Sequence, residues 1–262
     1  MTAPDASEAL VHVDALGATI AIALPDQRLR APVALAWSAC RTTPVVECPS
    51  VTAPELVRDA SADDVARALQ SLTQLVTRAA ILARAGELMM FHASALCDQR
   101  SGATIAMVAP GGTGKTTLVR ALGPGRGYVT DETVAVAADR SIAAYSKPLS
   151  VRRAEPGPKD EVAPSSLGLR PPEVQPWLAG MVLLRRDREA GDAVVVEALD
   201  VLDALVLLAP ETSALASFDR PLHQLADLVE SVGGLRCVHY HDAADVEPLV
   251  AEVLGRSRWA TR

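Results

Sequence analysis

The residues with the clearest chemical meaning run from Ala109 to Thr116 and read Ala-Pro-Gly-Gly-Thr-Gly-Lys-Thr. This run fits the Walker A pattern of phosphate-binding loops, with alanine at the position of the first glycine. Glycines let backbone N–H groups converge on phosphate oxygens, where a side chain would block the approach. In such a loop Lys115 reaches the β- and γ-phosphates of a nucleotide, and the Thr116 hydroxyl is a ligand for Mg²⁺. The run therefore predicts a site for a nucleoside triphosphate with Mg²⁺.

The residues around the loop have the pattern that such a site requires. An apolar strand is predicted over 103–108 and an amphipathic helix from the loop to Leu122, which directs its positive end at the anion. The alternative is a glycine turn that merely caps a helix, and this strand–loop–helix order favours the phosphate loop over it. The predicted nucleotide-binding residues are Pro110, Gly111, Gly112, Thr113, Gly114, Lys115, Thr116 and Thr117.

An acidic pair, Asp131-Glu132, follows 16 residues after Lys115, at the end of a short predicted strand over 128–130. If this strand runs parallel to the loop strand, its carboxyl end lies beside the phosphates. One carboxylate can then hold Mg²⁺ while the other accepts the proton of an attacking hydroxyl. The alternative is a solvated acidic turn. A second candidate for the metal carboxylate, Asp187, comes after two arginines and is expected past the end of its strand.

A histidine precedes the loop in the chain. His92 lies in a strand predicted over 87–96, which a polar turn at 98–102 joins to the loop strand as an antiparallel hairpin. The hairpin could bring His92 near the nucleotide. The alternative is a hydrogen-bonded core histidine. The other histidines and the four cysteines lack metal-ligand spacing, so no zinc site is expected.

Lysine is rare in this chain, since only three of its 25 basic residues are lysines. Besides Lys115 they are Lys147 and Lys159, each close to a proline in a predicted loop. We hypothesise that one of the two contacts phosphate or acceptor; the alternative is a solvated loop lysine. Arg220 is a weaker candidate for stabilising charge across the site. The segment 153–176, rich in Pro, Gly and Ser, is predicted to be a long loop and a candidate lid.

The remaining pattern indicates an α/β protein. Ser61 followed by two acids predicts the start of a long amphipathic helix that ends near Arg84, and 11–24 predicts a strand pair. Residues 25–60 read as irregular connections with a strand or two. Further strands are predicted from 134 and from 141, and over 181–184, 194–196 and 235–240, and helices over 200–208, 221–232 and 242–254. We predict N-terminal strands and a helix over 1–86 and a nucleotide-binding domain over 87–262, which could form one continuous unit.

Composition narrows the partners. The net charge is −7 and the basic residues are not clustered, so nucleic acid is not an expected partner. No apolar stretch reaches the roughly 18 residues that span a bilayer, and no signal-peptide pattern opens the sequence, so we expect no membrane partner and a cytoplasmic location. Adenine is expected as the base, because no Asn-Lys-x-Asp guanine signature occurs.

Three segments together resemble the catalytic domain of HPr kinase/phosphorylase, and more closely the shorter HPr-kinase-like ATP-binding proteins. They are Phe91–Leu96 (Phe-His-Ala-Ser-Ala-Leu), Pro110–Thr116 and Tyr128–Val134 (Tyr-Val-Thr-Asp-Glu-Thr-Val). The resemblance is specific over residues 87–150. That family shares its fold with phosphoenolpyruvate carboxykinase, so the resemblance implies a P-loop domain of this type, with a mixed sheet and flanking helices.

Carried over position by position, the resemblance implies roles for the site residues. Lys115 and Thr116 would bind the phosphates and Mg²⁺, and Asp131 would activate the acceptor hydroxyl or the attacking phosphate. Glu132, where the family normally has Asp, would assist the metal, and His92 would border the γ-phosphate. The signature stretch of true HPr kinases has no counterpart in 151–170, so HPr is not the expected acceptor. The resemblance also allows for a homo-oligomer.

Two functions remain open from the sequence. The first is a kinase that moves the γ-phosphoryl group of ATP to a hydroxyl of a peptide, a protein or a small molecule. The second is a nucleotide-binding switch or assembly ATPase without a separate acceptor, because an acid pair also suits the orientation of water.

Overall fold

The computed structural model describes residues 10–186 and 194–258 and has an α/β fold with a mixed sheet and flanking helices. The chain forms two compact units. One comprises Met1–Arg84, described from Leu10, with Tyr145–Leu167, and the other comprises Ala85–Ala144 and Gly168–Arg262 over their described residues. We call them the first unit and the second unit.

The regular elements are numbered in chain order. The strands are β1 (Leu10–Ala15), β2 (Ala18–Ala23), β3 (Ser50–Thr52), β4 (Met89–Cys97), β5 (Ala103–Val108), β6 (Gly127–Thr130), β7 (Thr133–Val136), β8 (Ile142–Ala143), β9 (Leu149–Val151), β10 (Asp160–Val162), β11 (Trp177–Arg186), β12 (Val195–Leu199), β13 (Thr212–Ser213) and β14 (Leu235–Tyr240). The α-helices are α1 (Arg30–Ala36), α2 (Ala62–Ala83), α3 (Lys115–Leu122), α4 (Val201–Leu208), α5 (Pro221–Ser231) and α6 (Glu247–Leu254).

The first unit combines a small sheet with a long helix. Its strands β1 and β2 form an antiparallel hairpin, β3 adds to β2 in parallel, and β9 pairs with β10. Helix α2 packs against β2, β3 and β10. A capping box starts this helix: the Ser61 hydroxyl accepts from the Asp64 amide at 3.2 Å, and the Asp64 carboxylate accepts from the Ser61 amide at 2.9 Å. These contacts satisfy N–H groups that the first turn leaves without intrahelical partners.

Over its described residues, the second unit is built on a nine-stranded mixed sheet. Along its main path the order is β12-β14-β11-β5-β4-β7-β8, and β6 and β13 also pair with β4. Strand β11 is parallel to both β5 and β14, whereas β4 is antiparallel to β5, β6 and β7. Strand β6 therefore runs parallel to β5, with β4 between them.

Helices cover both faces of this sheet. One face contributes alternate β4 residues such as Phe91 and Ala93 to a core with Leu208 of α4 and Leu225 of α5. On the opposite face α3 packs against β4, and α6 packs against β5 and β11. Because successive side chains of a strand point to opposite faces, His92 lies on the α3 side.

Most predicted elements are confirmed, including the hairpin in 11–24, the helix after Ser61, the β4–β5 hairpin, the strand–loop–helix around the phosphate loop and the strand over 235–240. The predicted division into 1–86 and 87–262 stays a prediction, because compact contact units are not the same as independently folding domains. Among the described residues no helix is both long and apolar enough to cross a bilayer.

Two regions differ from expectation. The segment 25–60, predicted to be irregular apart from a strand or two, also contains α1, with its apolar side chain Val33 buried. The segment 153–176 is not one long loop: it contains β10, which pairs with β9, and a short 3-10 helix over Pro164–Leu167. Short elements of three or four residues carry little periodicity, so the Pro and Gly content of this segment concealed them.

The capping box generates a stability prediction. Ser61→Ala removes the hydroxyl that accepts the Asp64 amide, so we expect the free energy of unfolding to fall by about 1 kcal/mol. The measurement is urea denaturation followed by circular dichroism. Ser71→Ala, at an exposed position inside the same helix, is the matched control and is expected to be neutral or slightly stabilising. Equal effects of the two substitutions would contradict the capping role.

Candidate functional site

The glycine-rich loop lies where β5 ends and α3 begins, at the carboxyl end of a strand with neighbours on both sides. Its first amide, on Ala109, donates to the carbonyl of His92 at 3.4 Å, which continues the β4–β5 ladder into the loop. The Thr113 hydroxyl donates to the Pro110 carbonyl at 2.8 Å and closes the turn. The Leu118 amide then bonds the Gly114 carbonyl as the first turn of α3 forms. The loop is thus a short connection that hydrogen bonds hold at both ends and across its turn.

Two glycines have backbone conformations that other residues rarely adopt. Gly112 has φ of +86° and Gly114, the N-cap of α3, has φ of +101°. A Cβ on Gly112 would meet no atom within 4 Å, so the space beside the backbone at this point is open. Successive amides in such turns form concavities that bind anions, and the helix start adds its partial positive charge. The loop therefore has the backbone of an anion site.

Lys115 is buried in this loop, with 7% of its surface exposed. Its ammonium donates to the main-chain carbonyls of Ala109 and Pro110, the latter at 3.2 Å. Burial lowers its pKa from 10.5 to about 8, although the negative charges of Glu211, Asp131 and Glu132 act in the opposite direction. Desolvation outweighs three carboxylates here, so an added anion at the loop would be a favourable partner for this charge.

The first turn of α3 is bonded directly to the acidic pair. The Thr116 hydroxyl donates to one oxygen of Asp131 at 2.7 Å, and the Tyr128 hydroxyl donates to the other at 3.1 Å. Asp131 is only 5% exposed. This carboxylate is therefore held by hydroxyls from both α3 and β6. The contact brings together two groups that the sequence separates by 15 residues.

The backbone between β6 and β7 explains why the acids occupy this position. Both strands pair with the same side of β4, in register at Ala95↔Thr130 and His92↔Thr133, and the acids lie at the junction between them. The Thr130 hydroxyl accepts the Glu132 amide at 3.2 Å, which bends the chain there. Because β6 is parallel to β5, its carboxyl end lies at the same edge of the sheet as the loop.

His92 faces the same region and has a partner that the sequence did not reveal. Its Nδ1 atom lies 3.6 Å from a carboxylate oxygen of Glu211. Strand β13 brings Glu211 there, because Thr212 pairs with Phe91, the neighbour of His92. Burial lowers the pKa of His92, the Lys115 charge lowers it further, and Glu211 and Glu132 partly compensate. The imidazole is therefore mainly neutral at neutral pH.

Residues from the other side of the loop also reach it. Tyr240, at the end of β14, donates its hydroxyl to the Thr113 carbonyl at 3.4 Å. Nη1 of Arg186, at the end of β11, lies 3.4 Å from the position that a Cβ on Gly114 would occupy. Neither residue is part of a recognisable motif. They meet the loop because parallel strands β5, β11 and β14 end at one edge, which requires knowing the strand order.

The sequence also singles out Lys147, Lys159, Arg220 and Asp187 as candidates. Lys147 and Lys159 belong to the first unit. Lys147 is buried, with its ammonium donating to the Pro148 carbonyl at 3.0 Å, so the alternative of a solvated loop lysine is wrong for this residue. Arg220 is exposed at the residue before α5. Asp187 lies outside the described residues. The hypothesis that Lys147 or Lys159 contacts phosphate or acceptor stays a prediction, as do a charge-stabilising role for Arg220 and the position of Asp187 past the end of its strand.

The oxygen ligands and donors at the loop fit a phosphate chain with Mg²⁺. A hydroxyl and a carboxylate, from Thr116 and Asp131, are already in contact, and Glu132 is adjacent. Mg²⁺ typically takes one or two carboxylates together with substrate phosphates and water, rather than a cage made only of protein atoms. An ammonium, a helix start and two left-handed glycines complete a site that can bind a polyanion beside a carboxylate.

Comparison with known proteins adds no family assignment: no protein-family model matches the chain, and no curated protein matches it significantly.

The environment of Lys115 generates the second prediction. With a pKa of about 8, its side chain is an ammonium at neutral pH and loses its proton as the pH rises through about 8, whereas an ordinary lysine stays charged to about 10. In NMR of protein with ¹³Cε-labelled lysine, only three side-chain signals are expected. The signal that disappears in Lys115→Arg should show a midpoint near pH 8. A midpoint above about 10 for that signal would contradict the burial argument.

Proposed function

We propose that this chain binds ATP with Mg²⁺ at Ala109–Thr116 and transfers the γ-phosphoryl group to a hydroxyl, in the manner of the HPr-kinase-like proteins it resembles. The contact between the Thr116 hydroxyl and Asp131, at 2.7 Å, is the observation that carries the proposal. A helix-capping glycine turn has no need of a buried carboxylate on its first hydroxyl. A nucleotide site does need one, because the hydroxyl and the carboxylate together serve the metal that accompanies the phosphates.

The Lys115 ammonium has the outer phosphates as its natural partner. Lys115 would give up its hydrogen bonds to two main-chain carbonyls and bind the β- and γ-phosphate oxygens instead. The negative charge of the phosphates would stabilise the ammonium, which burial disfavours. His92, close to Lys115 and Glu211, would border the terminal phosphate. Bound Mg²⁺ would neutralise part of the phosphate charge. The amides at the start of α3 would orient the chain of phosphates.

The two acids have different surroundings, which supports different roles. Asp131 already accepts from Thr116, the residue that the loop pattern assigns to the metal, so Asp131 is suited to the metal side. Glu132 is next to it, less buried, and one methylene longer than the family's usual Asp. On this assignment Glu132 accepts the proton of the attacking hydroxyl. The family resemblance implies the reverse order, with Asp131 as the base and Glu132 assisting the metal.

In the proposed transfer, each bond formed is matched by a bond broken, and the groups at the site can take up the proton. The acceptor oxygen forms a bond to the terminal phosphorus while the bond from that phosphorus to the bridging β-oxygen breaks. The hydroxyl proton goes to the carboxylate that acts as base, and ADP leaves. The second function, a switch or assembly ATPase, uses the same binding groups and differs only in the absence of a separate acceptor.

Binding is tested with the unmodified chain and one charge deletion. We expect isothermal calorimetry to detect ATP binding in magnesium buffer, and Lys115→Ala to weaken it at least tenfold, because charge-assisted hydrogen bonds to phosphate are lost. Arg120→Ala removes an exposed cation from the same helix and is the matched control, with affinity expected to change less than about twofold. If the unmodified chain gives no heat with ATP, ADP or GTP, the proposed function fails.

Transfer is tested with the two acids. With radiolabelled ATP and a panel of hydroxyl acceptors, we expect the loss of the base to lower the transfer rate by about 10²-fold or more while ATP still binds. Asp131→Asn and Glu132→Gln are compared, with the exposed Asp227→Asn as control. A higher Mg²⁺ concentration should partly restore the transfer rate of the variant in which the metal-binding acid is replaced. It should not restore the transfer rate of the variant in which the base is replaced.

The outcomes separate the functions. ATP binding without transfer to any acceptor would favour the switch. Unchanged transfer rates in both acid variants would contradict the role given to the pair, whichever acid is the base.

A further inference from the structure

The charged groups around the loop are divided between its two sides. The carboxylates of Asp131, Glu132 and Glu211 all act on the Lys115 charge, and His92 lies among them. Each of these partners comes from β4 or from a strand or turn next to β4. The proposed chemistry, which needs a base next to the terminal phosphorus, therefore belongs to the β4 side. The opposite side of the loop faces β11 and β14 and has a different set of groups.

Strand β11 extends beyond the strand that leads into the loop. Its last pair with β5 is Leu183↔Val108, and β11 continues through three further residues to Arg186. At about 3.3 Å per residue this extension is about 10 Å long and runs alongside the loop. Side chains alternate along the extension, so Arg185 and Arg186 point to opposite faces. The Arg185 side chain forms a hydrogen bond with the Cys237 thiol, and Cys237 belongs to the core on the α4–α5 face. Arg185 therefore lies on that face, and Arg186 faces the α3 side.

Arg186 is aimed at the start of α3. Its Nε donates to the His241 carbonyl at 3.2 Å, which fixes the inner part of the guanidinium. Its Nη1 lies 3.4 Å from where a Cβ on Gly114 would be, and the side chain is exposed to solvent. The backbone of a left-handed glycine at a helix start is a place where an anion can approach. The guanidinium is therefore at hydrogen-bonding range of an anion held by the amides around Gly114.

The neighbouring strand holds the loop on this side. Tyr240 is the register partner of Arg186, is almost fully buried, and donates its hydroxyl to the Thr113 carbonyl at 3.4 Å. The distance between the loop and the end of β11 is therefore set by a buried contact, and not by the exposed arginine itself.

We propose that Arg186 binds the inner phosphates of the nucleotide, those that stay on the leaving diphosphate. This inference rests on the proposed function. The terminal phosphate lies toward the carboxylates on the β4 side, so a cation on the β11 side faces the inner end of the same chain. A guanidinium is suited to this task because its planar fork donates two parallel hydrogen bonds to phosphate oxygens.

The test compares nucleotides of different length by calorimetry in magnesium buffer. For Arg186→Gln we expect the Kd of ATP and the Kd of ADP to rise by similar factors, each about tenfold, with Arg186→Lys intermediate. Arg185→Gln, the adjacent arginine on the opposite face, is the matched control and should change neither Kd.

Each other outcome has a definite meaning. A loss confined to ATP would place Arg186 at the transferred phosphate and overturn the inference. Unchanged Kd values in Arg186→Gln would also overturn it. In both cases the proposed function stands if Lys115→Ala still weakens ATP binding. If the unmodified chain binds neither ATP nor ADP, the proposed function itself fails.

Discussion

The hydrogen bond from the Thr116 hydroxyl to Asp131 is the constraint on which the rest of the site depends. It joins the first turn of α3 to the junction of β6 and β7, and its length of 2.7 Å leaves little freedom in the relative position of the two. The spacing requires β4 as a shared neighbour, antiparallel to β5 on one side and to β6 on the other. Two parallel strands separated by one antiparallel strand thus end at the same edge, with the loop on one and the acids on the other.

The energetics of Lys115 follow from this arrangement. Three carboxylates favour its charged form, yet burial still lowers its pKa to about 8. A buried charge that is incompletely compensated is a cost to the folded protein, and a polyanionic ligand would remove that cost on binding. The main-chain carbonyls of Ala109 and Pro110 accept hydrogen bonds from the ammonium when no such ligand is bound. Stability and ligand affinity are therefore opposed at this residue, as is common at functional sites.

The parts of the site that could be predicted are those encoded locally. The loop residues, the hairpin that carries His92 and the acids after β6 follow from spacing and turn chemistry over a few residues. Glu211 and Arg186 could not be found in this way, because each reaches the site through strand pairing between distant segments. The same holds for Tyr145–Leu167, whose Pro- and Gly-rich composition suggests a loop, whereas long-range contacts group it with the N-terminal residues. Register and strand order are properties of the whole sheet, and no local pattern contains them.

Strand order also makes the two sides of the loop different. The sheet is antiparallel on the β4 side, so turns and strand ends alternate there and can supply acids at the edge, as the β6–β7 junction and the segment before β13 do. On the β11 side, β5, β11 and β14 are parallel to one another, and the ends of β11 and β14 bear Arg186 and Tyr240. A polyanion in the loop would therefore have Arg186 on one side and the carboxylates on the other. The two sides differ because one mixed sheet contains both kinds of pairing around a single strand, β5.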